Sequence, residues 1–230
     1  MNGVVPVVAV DGPSGVGKGT LCLALSERLR WHLLDSGALY RLVALSALRQ
    51  RTALDDEATL AGTARRLPVR FEVVPGKGVR IDLDGDDVTR AIRDEAVGEA
   101  ASRVAALPLV RANLLERQRD FRTAPGLVAD GRDMGTVVFP DAPLKLFLTA
   151  SAEVRAKRRA AQLSVPENSA TFEKIYSDII SRDQRDASRA TAPLKAADDA
   201  VVLDTSELGI DDVFEQTIKL IAERRLKQFD

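Results

Sequence analysis

One short run constrains this chain more than any other: Gly12-Pro-Ser-Gly-Val-Gly-Lys-Gly-Thr20. Backbone N–H groups converge on a phosphate only where the chain adopts conformations that side chains resist, which accounts for Gly12, Gly15 and Gly17. Lys18 then supplies a point charge to the β and γ phosphates of a nucleotide. The flanks fit this reading. Val7-Val-Ala-Val10 is a continuous apolar run, and Leu21, Ala24, Leu25 and Leu29 recur at helical spacing. Strand, loop and helix follow in order, with phosphate expected at the helix N-terminus. The bland alternative is a glycine-rich turn that binds nothing, and the whole strand–loop–helix context weighs against it. Gly19 stands where a hydroxyl residue usually follows the lysine, and the hydroxyl comes one place later at Thr20. That shift weakens the case for Thr20 as a direct magnesium ligand.

Further apolar runs predict core strands at Leu127–Ala129, Leu144–Leu148 and Ala200–Leu203, with Leu33-Leu34 a weaker fifth candidate leading into a helix from about Ala38. Strands alternating with helices imply an α/β architecture with a parallel sheet covered on both faces. One segment breaks the rhythm. Val69, Phe71 and Val73 alternate, Pro75-Gly-Lys-Gly78 turns, and Val79, Ile81 and Leu83 alternate again, which predicts a half-exposed β-hairpin insertion ending near Asp87. Helical segments broken near Pro108 run on to Phe121. Ser151 and Glu153 open a helix carrying Arg155, Lys157, Arg158 and Arg159, and Thr171 is expected to cap the next. The charge-dense run Arg182-Asp-Gln-Arg-Asp-Ala-Ser-Arg189 reads alone as solvated surface. Beside a phosphate loop it also reads as a cationic segment that arrives with closure over a polyanion.

Composition narrows the partners. The 230 residues include 33 lysines and arginines against 34 acids, so no global attraction to nucleic acid or anionic membrane is indicated. Ten aromatic residues, seven phenylalanines, two tyrosines and one tryptophan, leave little for stacking on bases. The single cysteine, Cys22, excludes an intramolecular disulfide, suggests a reducing compartment and is expected to be a small buried apolar residue. No apolar stretch approaches the roughly 18 to 20 residues of a membrane span, and the first residues lack a charged-then-apolar signal pattern. A soluble cytoplasmic protein is therefore expected.

Three further motifs lie in order after the phosphate loop: Asp35-Ser-Gly-Ala-Leu-Tyr-Arg41, Ala129-Asp-Gly-Arg-Asp-Met-Gly-Thr-Val-Val-Phe-Pro140, and Arg182 through Pro193. With these in view the chain closely resembles the bacterial cytidylate kinases over essentially its whole length. The Asp-Gly-Arg-Asp-Met-Gly run is the specific signal, and the hairpin insertion looks like the extended monophosphate-binding subdomain of those enzymes. The resemblance implies a three-layer P-loop fold with a five-stranded parallel sheet. It implies one nucleoside-monophosphate kinase domain over 1–230, with a monophosphate-binding region over 36–110 that contains the β insertion 68–87, and a helical lid over 155–193. The implied reaction is ATP plus CMP or dCMP giving ADP plus CDP or dCDP, with magnesium, in a monomer. Gly12, Pro13, Ser14, Gly15, Val16, Gly17, Lys18, Gly19 and Thr20 would hold the ATP phosphates. Ser36, Arg41, Ser102, Arg111, Arg132, Asp133, Arg182, Asp186 and Arg189 would face CMP. The family often has an arginine where this chain has Ala187, so that contribution does not carry over; Arg185 either compensates or faces solvent.

The residue types suit the chemistry. A phosphate acceptor is already an oxyanion and needs no general base, so the task is to bring two polyanions together, which Lys18 and planar arginine forks can do. Arg41 and Arg132 are assigned to the acceptor phosphate, and Arg189 to a lid position bridging donor and acceptor. Arg158 and Arg159 either touch the ATP phosphates or form a solvated basic face. Cytosine offers an exocyclic amine, for which Asp133 is the acceptor, with Arg111 and Ser102 left for the ring nitrogen and carbonyl. Asp133 can equally pair with Arg111 or Arg132, and Asp186 either accepts from the ribose or pairs with neighbouring arginines. Asp130, after an apolar strand, is the candidate magnesium holder through water. Trp31 and His32 read as packing residues, and Tyr40 as packing beside the monophosphate site. Three rivals stand beside this reading. The first is a kinase of a small hydroxyl acceptor with Asp130 or Asp133 as base. The second is a nucleotide-controlled switch, which would need an Asn-Lys-x-Asp element that none of Asn2, Asn113 and Asn168 begins. The third is a nucleic-acid-associated P-loop protein.

Overall fold

In the computed structural model, which describes residues 4–74, 78–189 and 191–226, β1 (Val7–Asp11) leads through the glycine loop into α1 (Lys18–Leu29), and β2 (His32–Asp35) leads into α2 (Ser36–Gln50). α3 (Glu57–Arg66) precedes the antiparallel strands β3 (Val69–Val74), β4 (Gly78–Leu83) and β5 (Asp86–Asp87), followed by α4 (Glu95–Val104) and α5 (Pro108–Arg119). β6 (Leu127–Gly131), β7 (Leu144–Thr149), α6 (Ala152–Gln162), α7 (Ala170–Ala187), β8 (Val201–Asp204) and α8 (Ile210–Glu223) complete the chain. It divides into two compact units, Leu33–Phe121 and the remainder, Met1–His32 with Arg122–Asp230.

The larger unit is built on four strands of the five-stranded sheet, whose order is β2-β6-β1-β7-β8, with parallel pairing from β6 through β8, and it holds only the first residue of β2, His32. Central strands of such a sheet are covered on both faces, which is why β1 and β6 read as unbroken apolar runs. Val7, Val8, Ala9, Val10, Leu127, Val128 and Ala129 are all fully buried. The register pairs Val10 with Asp130 and Asp11 with Gly131. Asp130 therefore emerges beside the point where β1 gives way to the phosphate loop, at the carboxyl edge where open α/β sheets bind ligands. Gly12 fits that edge because it lacks a side chain: a Cβ there would lie 2.2 Å from the Leu148 carbonyl oxygen of β7.

The smaller unit folds by local rules. Asp35 caps α2 by accepting the Ala38 N–H at 2.9 Å, so the helix begins at Ser36, two residues earlier than its apolar pattern suggests. Asp56 caps α3, a helix the apolar periodicity does not announce, and Pro108 occupies the first turn of α5. The predicted hairpin is present as β3 and β4, with β5 adding a third strand; its turn at Pro75-Gly-Lys lies outside the described residues. Phe71 on β3 meets Phe121 edge-to-face, ring centroids 5.6 Å apart.

Two local expectations need correction. α7 is capped by Ser169, whose hydroxyl accepts the Phe172 N–H at 3.2 Å, and Thr171 lies inside its first turn. Both are capping types; Ser169 takes the role two residues earlier, and its own hydroxyl donates to Pro166 O at 2.6 Å. His32 is not a packing residue but an exposed one, with Nε2 2.9 Å from Ala124 O. Trp31 does pack, at 6% exposure, and its indole lies over Gly126, where a Cβ would come within 2.3 Å of the ring. Gly126→Ala should therefore displace the chain's only tryptophan. The expected result is a loss of about 1–3 kcal/mol from overpacking, read as a lower urea midpoint together with a red-shifted Trp emission. An unchanged midpoint and spectrum would show that the ring yields freely.

Candidate functional site

The phosphate loop takes the strained form its glycines allow, with φ of +78° at Gly15 and +99° at Gly17. Gly15, Gly19 and Thr20 are exposed, whereas Lys18 is buried at 7% exposure. Its Nζ donates to Pro13 O at 2.8 Å and stands 3.9 Å from Asp130. Burial lowers the Lys18 pKa, with the Asp130 carboxylate working in the opposite direction. Asp130 Oδ2 lies 3.6 Å from a Cβ position on Gly19, which places an acid beside the start of α1.

Asp11, at the end of β1, carries a role that motif reading missed. It is 4% exposed, and its two carboxylate oxygens accept the backbone N–H groups of Met134 and Gly135, each at 2.8 Å. It thereby ties the end of β1 to the Asp130-Gly-Arg-Asp-Met-Gly135 segment, in which a wide helical turn over Met134–Val138 begins directly after Asp133. Burial pushes the Asp11 carboxyl up to about 6 from its ordinary 3.8, against the two N–H groups, which favour the ionised form. A hydrophilic residue ending an apolar strand is the only signal that could have pointed to it.

Two of the expected site arginines, Arg132 and Arg189, gather on one carboxylate. Asp186, fully buried on α7, accepts from Arg132 Nε through one oxygen and from Arg189 Nη2 through the other. Burial pushes the Asp186 carboxyl up, but the charges of Arg132, Arg189 and Arg182 outweigh it and hold the group below the usual carboxylate range. Arg132 Nη2 is buried and has no hydrogen-bond partner among the described residues, an unused donor next to Asp133, itself 4% exposed. Arg185 and Ala187 are exposed.

On α6, Arg158 is committed to the loop after β8. It donates to Thr205 O at 2.5 Å, to the Thr205 hydroxyl at 3.1 Å and to Leu208 O at 3.4 Å. Arg159 reaches Gln162 at 3.5 Å. Arg155, which the sequence shows only as one more basic residue, is 4% exposed and joins three segments. It donates to Ala150 O, to Ser14 O in the phosphate loop and, through both terminal nitrogens, to Asp183 on α7.

In the smaller unit, Arg111 is 8% exposed, donates to Ala105 O at 3.2 Å and lies over the Tyr40 ring, 5.6 Å from its centroid. Ser102 Oγ is buried with no partner among the described residues, as a group awaiting a ligand would be. Arg41 donates to Ile92 O at 2.8 Å and packs against Gly98. Ser36 donates its hydroxyl proton to Gln118 at 2.6 Å, and Gln118, buried at 2%, donates on to Leu114 O. Gln118 is a third polar core residue that sequence reading did not single out, after Asp11 and Arg155.

The donor set is suited to a magnesium ion that arrives with a nucleotide. Mg²⁺ takes oxygen ligands, typically one or two carboxylates completed by phosphates and waters. Asp130 and the exposed Thr20 hydroxyl are oxygen donors near the phosphate loop, and no cluster of three or more His, Cys, Asp or Glu among the described residues forms an all-protein cage.

Asp11 gives a testable pH dependence. A group whose folded-state pKa exceeds its unfolded value stabilises the fold while protonated; its contribution is complete below about 3.8 and lost as pH rises through about 6. The stability difference between wild type and Asp11→Asn should therefore move against wild type by on the order of 2 kcal/mol from pH 4 to pH 7. Urea unfolding at both values measures it, and a difference that is constant with pH would contradict the assignment.

Comparison with known proteins places these features in a family. The family model for cytidylate kinase matches residues 8–223. Among curated relatives, the cytidylate kinase of Sodalis glossinidius is 56% identical over 95% of this chain and 96% of its own length. That of Aeromonas salmonicida is 54% identical over 98% and 97%, and that of Pseudomonas aeruginosa 56% over 95% and 96%. With this match running from β1 to α8, through the phosphate loop, the Asp11-held segment and the arginines on Asp186, the chain belongs to the cytidylate kinase family.

Proposed function

We propose that this protein is a cytidylate kinase that transfers the γ-phosphoryl group of ATP to CMP or dCMP, giving ADP and the diphosphate. The observation that carries the reading is the arginine pair, Arg132 and Arg189, held on the buried Asp186 carboxylate. Such an arrangement suits an acceptor that is already anionic and needs charge neutralisation rather than a base. Loop residues 12–20 hold the donor phosphates, Lys18 following the charge as it moves to the β–γ bridge. Arg41 and Arg132 hold the acceptor phosphate, with the unused Arg132 Nη2 as one donor, and Arg189 stabilises the group in flight. Arg182 lies beside the phosphates and Asp186 shares its carboxylate between arginines and ribose. Asp130 would hold magnesium through water, with Thr20 near it, and the metal would supply charge neutralisation of the phosphates. Arg158 supports the ATP site through the Thr205–Leu208 loop. Region 36–110 is the monophosphate-binding part of one kinase domain over 1–230, with insertion 68–87, and 155–193 is its lid.

A hydroxyl-acceptor kinase and a non-catalytic switch are not favoured, since neither explains the paired arginines. The lone buried Cys22 supports a reducing, cytoplasmic compartment, a monomer is the expectation that the family resemblance carries, and no helix among the described residues is long and apolar enough to cross a membrane. The decisive test is coupled detection of ADP from Mg-ATP with CMP, dCMP, UMP, AMP, GMP and shikimate. Selective turnover of CMP and dCMP is expected; turnover of shikimate alone, or of none, would overturn the proposal. Base choice rests on Asp133, which accepts from the cytosine amine but opposes the carbonyl that UMP puts in its place. An acceptor facing an acceptor costs about 1–3 kcal/mol. Asp133→Asn should therefore lower the ratio of kcat/KM for CMP over UMP by about tenfold, and an unchanged ratio would move base reading to another residue.

A further inference from the structure

We infer that Arg155 is a positioning residue that joins the phosphate loop to helix α7, so that a nucleotide seated in the loop raises the affinity for the acceptor. The inference rests on the kinase reading above and assigns to one side chain the coupling between its two substrates.

The geometry is specific. The Arg155 side chain is 5% exposed, so its donors must be met by protein. Nε donates to Ala150 O at 3.0 Å, just beyond β7. Nη1 donates to Ser14 O at 3.2 Å and to Asp183 Oδ1 at 3.0 Å, and Nη2 donates to Asp183 Oδ2 at 2.5 Å. The same nitrogen thus serves the loop and the helix. Gly15 packs directly on this side chain, its Cβ position 3.4 Å from Arg155 Cβ. Asp183 is adjacent to Arg182 and lies one helical turn from Asp186, the anchor of Arg132 and Arg189. A displacement of the Ser14–Gly15 backbone on binding phosphate is therefore felt at Asp183, and α7 carries it as a rigid element to the arginines. Arg155 itself needs no contact with substrate. Lysine could not replace it, because a single ammonium on a flexible stem lacks the planar fork that reaches both partners.

A structural staple would change stability, and the two substrate affinities separately, but not their thermodynamic linkage. The readout is accordingly the ratio of CMP dissociation constants measured by calorimetry without and with a saturating, non-hydrolysable Mg-ATP analogue. Wild type should show at least about a fivefold tightening, the lower end of ordinary coupling. Asp183→Asn turns an amide N–H₂ toward the fork, and Arg155→Lys abandons one partner. In each the ratio should fall below about twofold, while circular dichroism stays native and kcat drops at least about tenfold. A wild-type ratio near one, or a native-like variant that keeps the wild-type ratio, overturns the inference; if one variant does not fold, the other decides. Failure of wild type to bind or phosphorylate CMP at all would instead overturn the kinase reading, so the two failures are distinguishable.

Discussion

A protein built to bring two polyanions together must first hold a concentration of positive charge against its own repulsion, and the larger unit is organised around that constraint. Lys18 stands by Asp130, Arg155 is gripped by Asp183, and Arg132 and Arg189 share Asp186. Each cation has a carboxylate of its own or shares one, and the carboxylates come from a strand end and one helix. Buried pairs of this kind contribute little net stability, yet removing one partner leaves an uncompensated charge at a cost of several kcal/mol. Their value lies in placement. Arginines fixed by carboxylates before substrate arrives lose less freedom when it binds, and a donor such as Arg132 Nη2 stays turned inward without one.

Asp11 solves the opposite problem. It is a buried negative charge with no cation bonded to it among the described residues, and two backbone N–H groups of the Met134–Gly135 turn stabilise it. Their hold is incomplete, which is why burial still raises its pKa. In return one side chain fixes the segment that carries Arg132 and Asp133 to the strand from which the phosphate loop springs. Gly12 makes the same junction close by letting the loop pass against the Leu148 carbonyl. The donor loop and the Arg132–Asp133 segment therefore share a rigid origin at the ends of β1, β6 and β7.

What could be read from the chain alone follows from the range of each interaction. The phosphate loop is local and its strand and helix abut it, so its glycines, Lys18 and the β1–α1 boundary were all legible. The core strands were legible because parallel strands buried on both faces leave an apolar run. Asp11, Arg155 and Gln118 were not, because their partners lie 123, 141 and 82 residues away and no spacing announces them. The Ser169 cap was missed for a smaller reason: two hydroxyl residues lay within a turn of each other, and propensity does not choose between them. His32 was misread because a histidine between a tryptophan and two leucines resembles core, whereas the side chain at the first position of β2 points outward.

The charge-dense run from Arg182 to Arg189 shows how periodicity separates function from solvation where composition does not. Along α7 and its end, positions 182, 183, 186 and 189 follow one helical face; none of them is exposed, and Asp183, Asp186 and Arg189 are ion-paired. Positions 184, 185, 187 and 188 follow the other face and are exposed. Ala187, where the family resemblance leads one to expect an arginine, thus falls on the solvent side of the helix. Arg185 lies on that side as well and is not a replacement within the cluster. The electrostatics of the Asp186 cluster are therefore complete without either residue, because the helix itself assigns Arg182, Asp186 and Arg189 to one face and leaves the rest of the run to water.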